Sequence, residues 1–108
     1  MNYLGTLESL PMIELSEKTI QIIDALFGQE QRAHVYELLR TECAENIPFC
    51  ENHNPPNMER IRFSVLKLSE GQIDKLSQAI ELAQVDWRDL FMAAGFGLDT
   101  EAHQRWVP

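Results

Sequence analysis

The sequence predicts an all-α fold: a compact single-domain bundle of five to six short helices with an irregular Pro/Asn-rich loop in the middle. Three observations carry this. Apolar residues recur three and four apart in one segment after another, strand-like alternation is nearly absent, and residues that start and stop helices bracket the periodic stretches. The 108 residues make one domain, 1–108, of which 1–15 is a poorly defined N-terminal segment. At this length folding hides roughly two-thirds of the unfolded surface, enough for a core without staples.

Met1 to Leu15 shows no period and is interrupted by Gly5 and Pro11, yet it is rich in apolar side chains (Tyr3, Leu4, Leu7, Leu10, Met12, Ile13). Such a stretch is expected to lie across the core or to dock on a second copy. Ser16 reads as a helix cap with Glu17 in the first turn. Ile20, Ile23 and Phe27 form the apolar stripe of that helix, and Gly28 is expected to end it. A second helix runs from about Glu30 to Cys43, with Val35, Leu38 and Leu39 inward. The tight connection predicts an antiparallel pair.

Glu45 to Asn57 is the irregular part. Pro48, Pro55 and Pro56 deny the backbone its donors, and Asn46, Asn52, Asn54 and Asn57 are turn formers. Ile47 and Phe49 are expected to pin it to the core. Asn57 then caps a helix whose Met58, Ile61, Val65 and Leu68 are spaced three, four and three, with Arg60, Arg62 and Lys67 among them. Ser69-Glu70-Gly71-Gln72 matches a capping box and opens a fourth helix carrying Ile73, Leu76, Ile80 and Ala83. Asp86 to Phe96 has a written start and stop: Asp86 caps, Asp89 adds first-turn charge, Gly95 takes the left-handed conformation and Phe96 folds back. Trp87, Leu90, Phe91 and Ala94 share its packing face. Asp99 or Thr100 caps a last short helix on which Ala102, His103 and Trp106 share a side.

The formal charge is −8. Such a surface repels phosphate backbones, so nucleic acid is a poor default partner, while a basic protein patch is a complement. No apolar run reaches the roughly 18 residues of a membrane span. The first residues lack the pattern of a secretory signal, which places the chain in the cytoplasm, where Cys43 and Cys50 are expected to be free thiols.

Four sets of residues could carry chemistry. Cys43, Cys50 and His53, with Glu42 or Glu51 nearby, include zinc-type donors but lack paired Cys-x-x-Cys spacing. Cys50 with His34, His53 or His103 offers a thiol nucleophile that nothing local activates. Asp86 with Asp89, and Asp99 with Glu101, are carboxylate pairs, but they stand where helix starts call for acids. The last three helical elements imitate a helix-turn-helix reader, with Arg60, Arg62, Lys67 and Lys75 as a small basic face; a solvated face explains those cations more simply. No catalytic, cofactor-binding or metal-binding residue is therefore assigned, and the chain is not expected to be an enzyme.

The run Glu59-Arg60-Ile61-Arg62-Phe63-Ser64-Val65-Leu66-Lys67-Leu68-Ser69-Glu70-Gly71, then Asp86-Trp87-Arg88-Asp89-Leu90 through Ala94-Gly95-Phe96, then His103 and Trp106, resembles a group of short bacterial proteins of unknown function. The likeness covers about the last half of the chain. It implies a bacterial domain and carries no site residues with it. The expected function is a non-catalytic protein–protein interaction module whose partner is another protein, a second copy (a homodimer) included; no membrane or nucleic acid is expected. The alternatives are a small thiol-dependent enzyme or hydrolase, and a helix-turn-helix-like nucleic-acid-binding module.

Overall fold

The structure, a computed structural model, describes residues 14–44, 47 and 55–108. Among them are five α-helices: α1 (Glu17–Leu26), α2 (Gln29–Glu42), α3 (Pro55–Ser69), α4 (Ile73–Val85) and α5 (Trp87–Ala94), followed by a 3-10 turn, Ala102–Arg105. No described residue is in a strand. The all-α bundle expected from periodicity is the fold observed. The apolar segment before Glu14, and Phe49, Cys50 and His53 in the middle loop, lie outside the described residues.

α3 is the hub, packing against α1, α4, α5 and the 3-10 turn. Ile61 through Leu66 are all buried, whichever way each side chain points. A helix covered on every side must bury its polar residues too, and Arg62 and Ser64 are buried with their apolar neighbours. Around it the core is drawn from Ile22, Ile23 and Phe27 of the α1 region, Val35 and Leu39 of α2, Leu76, Ile80 and Ala83 of α4, and Leu90 and Phe91 of α5. Ile47 is buried, as expected of a loop anchor. Ile20, Leu38, Leu68, Ile73 and Trp106 pack at the margin, half-buried.

Three of the expected helix ends are in place. The Ser16 hydroxyl accepts from the Thr19 N–H at 3.1 Å and starts α1. The Asp86 carboxylate accepts from the N–H groups of Arg88 and Asp89. Gly95 has φ of 82°, and the N–H groups of Phe96 and Gly95 bond to the carbonyls of Phe91 and Met92. That pair of bonds is a Schellman closure, and it is why Phe96 folds back into the core.

Three expected ends are corrected. Gly28 does not stop α1: Phe27 leaves in an extended conformation, and Gly28 (φ −67°) opens α2 instead. Asn57 does not cap α3, which already begins at Pro55; a first turn loses nothing by lacking N–H groups, since those groups have no helical acceptor. Ser69 is not an N-cap. It is the last residue of α3, donating to the Leu66 carbonyl at 2.6 Å and accepting from the Gly71 N–H at 3.1 Å. Glu70 (φ 52°) and Gly71 (φ 77°) then reverse the chain, and Gln72 stands at the N-cap of α4 without a side-chain cap bond. A β-carbon on Gly71 would stand 2.7 Å from the Leu26 carbonyl oxygen, so only glycine lets this turn lie against the end of α1.

Candidate functional site

The basic residues singled out in the sequence are, for the most part, engaged in closing helix ends. The last carbonyls of a helix lack internal partners and carry partial negative charge. Here cations from another helix supply the donors. Arg32 of α2 donates to the carbonyls of Asp24 and Phe27, at 2.9 and 3.1 Å, closing α1. Arg62 of α3 donates to Cys43 (3.1 Å) and Leu39 (3.4 Å), closing α2, and reaches the Glu14 carbonyl at 2.8 Å. Lys67 donates to the Ala94 carbonyl at 2.8 Å and lies over the Phe96 ring, while Arg60 donates to the Phe96 carbonyl at 2.6 Å and stacks 3.9 Å from the centre of the Phe91 ring. These two close α5. Burial pulls the Arg60 and Arg62 pKa values below the ordinary guanidinium range. The basic face expected to be solvated is thus corrected: Arg60, Arg62 and Lys67 point inward at carbonyls, and Lys75 is 2.6 Å from Glu70.

Of the two cysteines, Cys43 lies among the described residues. Cys43 is fully buried, and burial pushes its thiol up to about 12, against a smaller opposing pull from Arg62. A thiol held protonated in this manner is a packing group, not a nucleophile. Among the described residues no group of three or more His, Cys, Asp or Glu side chains is placed to hold a metal. The Asp86 and Asp99 carboxylates accept backbone N–H groups, and Asp99 also pairs with Arg105, which holds its carboxyl below the ordinary range.

One cluster stands apart from this capping scheme. His103, on the 3-10 turn, is only 2% exposed, and neither ring nitrogen has a hydrogen-bond partner. Its Nε2 is 3.7 Å from Oε1 of Glu59, beyond hydrogen-bond reach. The other Glu59 oxygen accepts from the Ser16 hydroxyl at 2.9 Å. The single hydroxyl proton of Ser16 goes to Glu59, so the Thr19 hydroxyl, 2.8 Å away, donates to Ser16. The ring of Phe63 meets the imidazole edge-on at 5.4 Å, and Phe96 does so at 6.3 Å. Burial lowers the His103 pKa below its ordinary value; Glu59 opposes this, and Arg60 and Lys18 reinforce it. The serine touches the carboxylate rather than the imidazole, so the order needed to activate a serine nucleophile is not the order present. Sequence reading placed His103 beside Ala102 and Trp106, but Glu59 as its neighbour had no local signal.

Beside this cluster a groove of about 340 Å³ runs between α1 and the final residues, lined by Lys18, Ile22, Ala25, Trp106, Val107 and Pro108 among others. Its walls are mostly apolar, and Val107 is 80% exposed. Comparison of the chain with protein-family models, with curated proteins and with solved structures finds no match. No helix among the described residues is long and apolar enough to cross a membrane.

Proposed function

We propose that this chain is a non-catalytic protein–protein interaction module that uses the groove between α1 and Trp106–Pro108. The observation behind the reading is the apolar lining of that groove, with Val107 in the open and Trp106 half-buried along its edge. Exposed aliphatic and aromatic side chains grouped in a concave surface are the usual anchors of a protein interface. The net charge of −8 favours an occupant that brings an apolar anchor flanked by basic residues. Neither nucleic acid nor membrane belongs to the proposal, since the cations that would attract phosphate are directed at internal carbonyls or paired with Glu70. A bacterial source and a cytoplasmic location complete it, supported by the resemblance of the last half of the chain and by its sparing use of cysteine.

The test compares the protein with Ala25→Glu, an exposed helical position that accepts glutamate without strain. Sedimentation reads self-association, and affinity capture reads other partners. Association by the native chain that the variant loses supports the proposal, with a second copy or a different protein as the occupant. A strict monomer that captures nothing, or equal capture by both chains, overturns it.

A further inference from the structure

We propose that the segment Asp99–Pro108 is a latch on α1 and α3 that opens when His103 takes up a proton. The segment is largely self-contained. The Asp99 carboxylate accepts the Glu101 N–H and pairs with Arg105, and the Ala102 and Trp106 N–H groups bond to carbonyls within the segment. What docks it is mainly apolar, His103 and Trp106 packed edge-on against Phe63 and both also meeting Phe96, with the Asp99 carboxylate attracted in addition by Arg60 of α3. A single described polar tie, from Lys18 Nζ to the Gln104 carbonyl at 3.1 Å, joins its exposed edge to α1. A neutral imidazole fits such a site as a flat apolar wedge. An imidazolium needs both N–H groups satisfied, and here neither nitrogen has an acceptor.

Burial is the largest influence against the imidazolium, and among the charges facing the ring Glu59 favours it while Arg60 and Lys18 oppose it. α1 contributes Lys18; α3 contributes Arg60 and Glu59. Oε2 of the Glu59 carboxylate is held by the Ser16 hydroxyl, and Oε1, which faces Nε2, stands 3.7 Å away, too far for a hydrogen bond in the docked geometry. Burial acts in the same direction as the cations. Protonation consequently favours the undocked segment, where the imidazolium reaches water, and undocking bares Phe63 together with the α1 side of the groove. The helix closures by Arg32, Arg62 and Lys67 involve no residue of the latch, so the bundle itself stays folded. This inference does not depend on the groove having a partner.

The experiment uses the full chain carrying Trp87→Phe, so that Trp106 is the sole indole reporter. Emission and far-ultraviolet circular dichroism are followed from about pH 8 down to about pH 5, the range in which histidine titrates. The expected result is a red shift of Trp106 emission that sets in below the ordinary histidine pKa while helix content holds. In His103→Phe the shift disappears. In Glu59→Gln, which removes the one carboxylate steadying a docked imidazolium, release moves toward neutral pH. Loss of helix in step with the red shift, an unchanged red shift in His103→Phe, or an acidward or null movement in Glu59→Gln overturns the proposal. Should His103→Phe fail to fold, the Glu59→Gln comparison still decides it.

Discussion

Arg62 holds the end of α2 through the backbone carbonyl of Cys43, its Nε lying 3.1 Å from that oxygen in a fully buried setting. The same guanidinium also serves the carbonyls of Leu39 and Glu14. A planar fork of donors can satisfy several carbonyls at once, which a lysine ammonium on a single stem cannot copy. Replacing Arg62 by methionine leaves buried carbonyls unpaired. At about 1–3 kcal/mol for each unsatisfied buried group, Arg62→Met is expected to lower unfolding stability by about 3 kcal/mol. Arg62→Lys recovers part of the loss, and urea unfolding at constant m-value measures both.

Two glycines have left-handed backbones but different surroundings. A β-carbon at Gly95 meets only the flexible tip of Lys67, at 3.5 Å, whereas one at Gly71 meets the backbone oxygen of Leu26 at 2.7 Å. The left-handed conformation alone costs a non-glycine residue about 1–2 kcal/mol. Gly95→Ala should lose about that amount. Gly71→Ala should lose clearly more, because a backbone oxygen cannot swing aside. Thermal melts of the two variants side by side give the order, and equal losses would contradict the close approach of this turn to α1.

Alkaline pH should weaken the fold through Cys43. Its thiol is pushed by burial from about 9 up to about 12. Between those values the unfolded chain has lost the proton and the folded chain has kept it, so the unfolded state binds fewer protons and stability falls as pH rises. One fully coupled group contributes up to about 1.4 kcal/mol per pH unit. Stability of the native chain measured at about pH 8 and about pH 10 should therefore fall more steeply than that of Cys43→Ala, whatever the packing cost of the substitution.

The side-chain caps of α1 and α5 should differ in worth. Asp86 accepts two N–H groups at an exposed helix start, and Asp86→Ala is expected to cost about 1 kcal/mol. Ser16 caps α1 and also donates to Glu59, tying α1 to α3. Ser16→Ala should cost about twice as much. A double substitution of Ser16 and Glu59 that loses no less than the sum of the single losses would show that the tie carries no coupling energy.

What the sequence revealed was local. α5 was legible from start to stop because Asp86, Gly95 and Phe96 act on backbone groups a few residues away. The pairing of α1 with α2 followed from the short connection, and it is fastened by Arg32 and by the Tyr36 hydroxyl donating to Asp24 at 2.6 Å. What stayed hidden was the destination of the cations. The acceptors of Arg60, Arg62 and Lys67 are carbonyls at Phe96, Cys43, Leu39, Glu14 and Ala94, and a carbonyl has no side-chain signature. Cations among apolar residues therefore read as a wet face. The capping-box reading of Ser69 failed for a related reason: the same four residues suit a helix exit once Glu70 and Gly71 take positive φ, and the contact with Leu26 settles which occurs. Around His103, chain-distant neighbours left no trace in spacing.

The closing of helix ends by borrowed side chains makes the molecule hard to divide. α2 ends on donors from Arg62 of α3 and Gln84 of α4, α5 on Arg60 and Lys67 of α3 together with its own Schellman bonds, and α1 on Arg32 of α2. A fragment cut between α2 and α3 takes carbonyls from their donors on one side and donors from their carbonyls on the other. Loosening of one rod is thereby passed on to its neighbours, and the five helices melt as one cooperative unit, separately from any release of the Asp99–Pro108 segment.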